Sequence, residues 1–131
     1  MVNRAWLLKI TLLLLLANIS YEQLVLARMI ETEGFHDATG QEQEAANALI
    51  DTVYNRIDLG WCDNVSDCMS AYHGYTIYIP SSKAINAVKS YHRGSKDIVF
   101  AYNEADCATV GRNPNDADIT IGPFFFFRNE K

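Results

Sequence analysis

The chain has 131 residues, 16 of them acidic and 11 basic, and its formal net charge is −5. An acidic chain without a run of Lys or Arg is a poor candidate for nucleic-acid binding, because neutralisation of phosphates dominates that affinity. It also lacks the cationic face that is typical of proteins acting on anionic lipid. The length fits a single domain behind a short leader.

The first element is an apolar N-terminal segment. Arg4 and Lys9 precede an apolar run over residues 10–17, and the first acidic residue is Glu22. This layout is typical of a secretory signal, and the run is shorter than the roughly 20 apolar residues of a membrane span. We therefore predict that residues 1–20 are a signal peptide or, alternatively, a retained signal-anchor. Residues 21–131 are then an exported domain, with this segment as its only link to a membrane.

The rest of the chain alternates helical and extended patterns. Apolar spacing, capping residues and glycines predict four helices. The first covers Tyr21–Glu33, and the second follows a Thr39-Gly40-Gln41-Glu42 capping box and covers 42–60. The third covers 65–72, and the fourth runs from the N-cap Ser81 to Gly94. Extended segments are predicted over 75–79, 98–102 and 119–127, and a polar loop over 103–118. Together these elements predict a mainly helical α+β domain.

The end of the first predicted helix places a carboxylate on an apolar face. The residues seven, four and three positions before Glu33 share its face, and all are apolar: Leu26, Met29 and Ile30. Glu31 instead lies toward Ala27 and Arg28, on the side that we expect to be wetter. Apolar surroundings and the negative end of the helix dipole both raise the pKa of a carboxyl group, which suits a general acid. The alternative is an ordinary surface glutamate at a frayed helix end.

Two disulfide pairings of the three cysteines are plausible in an oxidising compartment, Cys62–Cys68 or Cys62–Cys107. Their spacing lacks the close pairs of a zinc site. Glu33-x-x-His36 resembles one half of a bundle-type metal motif, but no second copy is present. We predict neither a metal site nor a cofactor.

Several short motifs resemble a known protein family. The segment Ala27-Arg28-Met29-Ile30 with Glu33 after it, the Gly40-Gln41 turn and a helix that ends in Asn55-Arg56 are similar to the SleB-like cell-wall hydrolases. That family includes a spore-cortex-lytic enzyme and phage-borne lysins. Residues 85–94 are similar to its late, glycine-closed helix, and residues 121–126 to its closing strand. The resemblance covers about residues 24–127.

This resemblance implies a lysozyme-like fold and cleavage of the glycan strands of peptidoglycan. Glu33 matches the catalytic acid of the family, and Asn55 and Arg56 match its N-R motif. We expect Arg56 to tie the second predicted helix to the first through a carboxylate such as Glu31 or Asp51. Alternatively, Asn55 and Arg56 are a helix-end cap and an ion pair.

Three tyrosines are candidates for lining a sugar groove, because a ring offers apolar area and a hydroxyl offers a hydrogen bond: Tyr75, Tyr78 and Tyr102. The alternative is that these are core aromatics with a solvated hydroxyl. The three histidines, His36, His73 and His92, are predicted to be surface or loop residues.

The sequence offers no second carboxylate in an apolar setting like that of Glu33. Asp37 and Glu42 lie in a connector and a first helical turn, where dipole effects already favour acidic residues. Ordinary glycoside hydrolysis needs two carboxylates, so a single glutamate favours a lytic transglycosylase, as the resemblance does. We therefore expect a monomeric enzyme that acts on peptidoglycan. The alternatives are an exported or membrane-anchored binding protein that keeps the fold without activity, and a small membrane-anchored interaction protein.

Overall fold

A computed structural model describes residues 4–72 and 79–129. Its helices are α1 (Arg4–Ala17), α2 (Tyr21–Glu33), α3 (Glu42–Asp58), α4 (Val65–Cys68), α5 (Ser82–Lys89) and α6 (Glu104–Val110). Its strands are β1 (Ile98–Tyr102), β2 (Ile119–Ile121) and β3 (Phe124–Arg128), and short 3₁₀ turns cover Phe35–Asp37, Met69–Ala71 and Pro114–Asp116. The predicted mainly helical α+β class is confirmed. Within the described ranges, no helix has both the length and the apolarity to cross a bilayer.

Helix α2 is the central helix, and its predicted bounds are confirmed. Ser20 and Gln23 form a reciprocal capping box at its start, and Gly34 ends it in the left-handed conformation, with φ +84°. All residues from 24 to 30 are buried. The expectation that Ala27 and Arg28 mark a wetter side is therefore wrong, because helices α3, α4 and α5 pack against α2 and leave these two residues 0% and 1% exposed.

Helix α3 packs beside α2 and begins at Glu42. The predicted capping box at Thr39 is wrong, because the N-cap is Gln41 and its side chain makes no cap hydrogen bond. Gly40, with φ +81°, turns the chain between Thr39 and the helix. The Gln41 side chain reaches elsewhere, and its Oε1 accepts a hydrogen bond from the N–H of Gly122 at 3.3 Å.

Helix α5 starts at the predicted N-cap, where the Ser81 side chain accepts from the N–H of Ala84. It ends at Lys89, which is earlier than the predicted end at Gly94. The reason is that buried Asp51 draws the following segment toward α3. Its carboxylate accepts hydrogen bonds from the Tyr91 hydroxyl at 2.8 Å and from the N–H groups of Gly94 and Ser95.

The three strands form an antiparallel sheet in the order β1-β3-β2. The run 119–127, predicted as one extended segment, is a hairpin that turns at Gly122 and Pro123. One face of the sheet packs on the helices through Ile121, Phe124 and Phe126, which are buried in the core. On the opposite face Phe100 and Tyr102 of β1 lie across from Phe127 and Phe125 of β3.

The predicted polar loop over 103–118 is wrong, because its first half is helix α6. Asn103 and Asp106 form a reciprocal capping box, and Gly111, with φ +75°, ends the helix. These signals outweigh the polar composition of the segment. Cys107, a residue of this helix, is a fully buried free thiol, and burial raises its pKa.

Of the two disulfide pairings that the sequence allows, the structure has Cys62–Cys68. Their Cα atoms are 5.4 Å apart. The bridge closes the segment between the end of α3 and the end of α4.

Candidate functional site

Glu33 is the last residue of α2 and is half-buried. Besides burial, the charge of its carboxylate raises the pKa of the Tyr72 hydroxyl. Burial raises the pKa of Tyr72 to about 12, the Glu33 charge adds to this rise, and the Arg56 charge opposes it. The Tyr72 hydroxyl lies 2.7 Å from Oγ1 of buried Thr52. Thr52 therefore links Tyr72 to α3, and the charges of Glu33 and Arg56 act on the Tyr72 hydroxyl in opposite directions.

Arg56 does not make the contact that the sequence predicts. Its Nε donates a hydrogen bond to the backbone oxygen of Val99 at 2.8 Å, so that it ties α3 to strand β1 and not to α2. The candidate carboxylates have other partners. Asp51 holds the segment after α5, and both carboxylate oxygens of Glu31 accept from the N–H of Ser81, at 2.9 and 3.1 Å.

Asn55 has a structural position. It is 1% exposed, and its Nδ2 donates to the backbone oxygens of Ser95 at 3.2 Å and Ile98 at 2.8 Å. Its Oδ1 accepts from Arg93, which also pairs with Asp58. Asn55 and Arg56 together fix the start of β1 to the C-terminal half of α3.

A row of rings and guanidinium groups starts at Tyr72. The Arg56 guanidinium carbon lies 5.9 Å from the Tyr72 ring centre, 5.5 Å from that of Trp61 and 5.4 Å from that of Phe100. These distances are typical of cation–π contacts. The row thus connects Tyr72 with strand β1 through Arg56.

The row continues over the outer face of the sheet. The Arg112 guanidinium carbon lies 4.8 Å from the ring centre of Phe100, 4.7 Å from that of Phe127 and 6.0 Å from that of Tyr102. The Phe100 and Tyr102 rings stack with centres 6.0 Å apart. We call this set the arginine–aromatic row; its members are Arg56, Trp61, Tyr72, Phe100, Tyr102, Arg112 and Phe127.

Of the tyrosines predicted to line a groove, Tyr102 belongs to this row and is half-exposed. Tyr75 and Tyr78 lie outside the described residues, as does His73. Trp61, Tyr72 and Arg112 are not predicted from the sequence pattern, because they reach the row from separate segments. One signal was available: Phe100 and Tyr102 are two residues apart in a strand and must share a face.

Two clefts contain charged side chains. One, of about 520 Å³, borders the far end of the row and is lined by Arg112, Phe127, Asp116 and Asp118 among others. The second, of about 420 Å³, lies between α3 and α5 and is lined by His36, Glu42 and Lys83 among others. The first is continuous with the row through Arg112 and Phe127.

The other acidic side chains near α2 have defined environments. Backbone N–H groups, its own and that of Gly40, lower the pKa of Glu42. His36 Nε2 lies 3.6 Å from Glu31 Oε1, and Asp37 is exposed. Among residues 4–72 and 79–129, no group of three or more His, Cys, Asp or Glu side chains is arranged to hold a metal ion.

Segments that are far apart in the sequence meet at the hairpin turn. Gln41 bonds to the hairpin turn at Gly122. A Cβ atom on Gly122 would lie only 2.7 Å from the Cα of Ala38, so the turn packs directly on the connector between α2 and α3. The Gly40-Gln41 and 121–126 segments, which carry part of the family resemblance, are therefore neighbours.

The chain matches no family model, no curated protein and no solved structure.

Proposed function

We propose that this chain is an exported peptidoglycan-degrading enzyme with a lysozyme-like fold, and that it cleaves glycan strands as a lytic transglycosylase with Glu33 as its catalytic residue. One observation carries the proposal. A half-buried glutamate ends the central helix, and its charge acts on Tyr72, the first ring of the arginine–aromatic row. Glycan cleavage needs a proton donor, and an aromatic ring can bind a sugar.

In this mechanism Glu33 first acts as an acid. Its proton passes to the glycosidic oxygen as the bond from that oxygen to the anomeric carbon breaks. The 6-hydroxyl oxygen of the same sugar then bonds to the anomeric carbon, and its proton returns to the Glu33 carboxylate. Atoms and charge balance without water, and the product ends in an anhydro sugar.

The environments of the other carboxylates favour this single-glutamate route. Asp51 is 2% exposed, and its oxygens already accept from Tyr91, Gly94 and Ser95. Glu31 is bound to the N–H of Ser81. Hydrolysis with two carboxylates needs a second one opposite the first across the sugar, and these two are held by other bonds.

The deciding experiment is the incubation of the full chain with purified peptidoglycan, followed by mass spectrometry of the soluble products. We expect muropeptides with anhydro ends, one water lighter than hydrolysed ends, and none from the Glu33→Gln variant. Reducing ends as the main product would overturn the transglycosylase assignment and direct attention to Asp37 or Glu42.

A second candidate function is glycan binding without cleavage, and the length of the row favours it. The part-buried members of the row extend from Tyr72 to Tyr102 and Arg112 on the outer face of the sheet, and the buried Phe127 packs against Arg112. Co-sedimentation of the chain with insoluble peptidoglycan, without release of soluble fragments, would support binding alone.

Export is part of the proposal, with the leader removed before the packed domain. Ile19 belongs to the hydrophobic core and Ser20 caps α2. Cleavage that preserves both residues falls before Ile19, and the intact mass of the exported protein would locate it. A mass that retains all N-terminal residues would indicate the signal-anchor instead.

A further inference from the structure

The Arg56 guanidinium is positioned to bind a further group. Within the described residues it donates one hydrogen bond, from Nε to the oxygen of Val99. Its two terminal nitrogens carry four more N–H donors, and the side chain is half-exposed. The group is thus anchored at one nitrogen and open at the other two.

The rings around Arg56 fix its orientation. Trp61, Tyr72 and Phe100 each have their centre within 6 Å of the guanidinium carbon. A guanidinium held against rings loses little conformational freedom when its planar fork meets a carboxylate. Trp61 is 46% exposed, so its ring is accessible to a sugar that lies beside such a carboxylate.

The nearby acidic groups leave this positive charge available. Asp58 pairs with Arg93, and Asp51 accepts from the backbone of the segment after α5. In the proposed reaction Glu33 enters as the neutral acid, and in that state it adds no negative charge near Arg56. Although the chain has a net charge of −5, the neighbourhood of Arg56 can therefore attract an anionic ligand.

We propose that Arg56, with Trp61 and Phe100 beside it, binds a carboxylate carried by the glycan strand and thereby selects peptidoglycan over neutral polysaccharides. This inference rests on the proposed function for its substrate class. The carboxylate has two chemical sources, the lactyl group of the muramyl sugar and the stem peptide.

The test measures binding separately from cleavage. The Glu33→Gln chain is titrated calorimetrically with three probes: glycan strands stripped to free lactyl carboxylates, the same strands with stem peptides, and a neutral chitin oligosaccharide. We expect at least one carboxylate-bearing probe to bind about tenfold or more tightly than chitin, since a charge-assisted hydrogen bond supplies that much. The probe that shows the preference identifies the source.

Two variants in the same background assign the preference to Arg56. Arg56→Gln should abolish it, whereas Lys96→Gln, which removes the same charge from an exposed side chain, should keep it. Because Arg56 also supports β1, Arg56→Lys and thermal unfolding monitor the fold. In the Glu33→Gln chain that keeps Arg56, raising the salt concentration should weaken binding of the carboxylate-bearing probe but not of chitin.

The outcomes separate the two proposals. Equal affinity for all three probes, no binding of any probe, or an equal loss for all three in Arg56→Gln overturns the role of Arg56, even if the wild-type chain releases anhydro products. A preference that depends on Arg56 in a chain that releases no products supports the role and contradicts the enzyme assignment.

Discussion

The backbone N–H of Ser81 lies 2.9 and 3.1 Å from the two carboxylate oxygens of Glu31. Glu31, on α2, therefore holds the residue that caps α5, whereas the charge of Glu33, two positions later, acts on Tyr72. Two neighbouring glutamates thus differ: one supports the scaffold, and the other is the acid of the proposed site.

This difference predicts opposite phenotypes for two conservative variants. Glu33→Gln keeps the shape but removes the transferable proton, so we expect near-complete loss of lytic activity and little change in stability. Glu31→Gln weakens a charged hydrogen bond and should lower the free energy of unfolding by about 1 kcal/mol while most activity remains. Turbidity clearing and urea unfolding measure the two effects. Equal loss of activity in both variants would contradict the assignment of Glu33.

The buried tyrosines predict a loss of stability at alkaline pH. Burial raises the pKa of Tyr72 and of Tyr54 to about 12, and it also raises that of Tyr91, whose hydroxyl donates to Asp51. The folded state keeps these protons when the unfolded chain has lost them, so the stabilisation is complete below pH 10 and falls between about pH 10 and 12.

Tyr72→Phe should flatten this alkaline decline by an amount on the order of 2 kcal/mol. Tyr21→Phe, at a side chain that is 54% exposed, is the matched control and should leave the decline unchanged. Denaturant unfolding at a series of pH values measures it. An unchanged slope in Tyr72→Phe would show that this hydroxyl is not protected in the folded state.

The hairpin turn predicts an unequal effect of alanine at two glycines. Gly122 (φ +54°) and Gly60 (φ +75°) both have positive φ, but only at Gly122 does a Cβ meet neighbouring atoms, those of Ala38. Gly60→Ala should cost about 1 kcal/mol from the backbone conformation alone. Gly122→Ala should cost clearly more, because the hairpin must also move. Thermal unfolding of both variants decides, and equal costs would contradict the close approach.

The cysteines predict a distinct thiol chemistry. Opening the Cys62–Cys68 bridge, whose partners are six residues apart, should lower stability by about 2 kcal/mol, as expected for a short loop. The buried Cys107 thiol should react with a thiol reagent only after unfolding. Rapid modification of one thiol in the native protein would contradict this burial.

The sequence predicted those elements that local patterns determine. Helix α2 combines apolar spacing with a terminal glycine, and Ser81 is a capping residue before an apolar stripe, so both were predicted correctly. Local signals also explain one error. The capping box of Asn103 and Asp106 and the terminal Gly111 mark α6, whereas the polar composition of the same segment indicates a loop.

Other errors arose because the deciding contact is distant in the sequence. The partner of Arg56 is a backbone oxygen 43 residues later, and no side-chain pattern marks it. The S/T-x-x-E pattern at Thr39 is genuine, but the turn at Gly40 moves Thr39 away from the helix start. Tyr72 and Trp61 join the candidate site only through tertiary packing, so a scan along the chain cannot collect them.

Both parts of the arginine–aromatic row are attached to one helix. Thr52 of α3 holds Tyr72, and Arg56, one turn later, holds strand β1 and the rings on it. The spacing between Tyr72 and the rings of β1 is therefore set by a rigid rod and not by a hinge between lobes. A glycan strand on this row would meet rings at fixed separations, so the protein would recognise strands by thickness and substituents without closing around them.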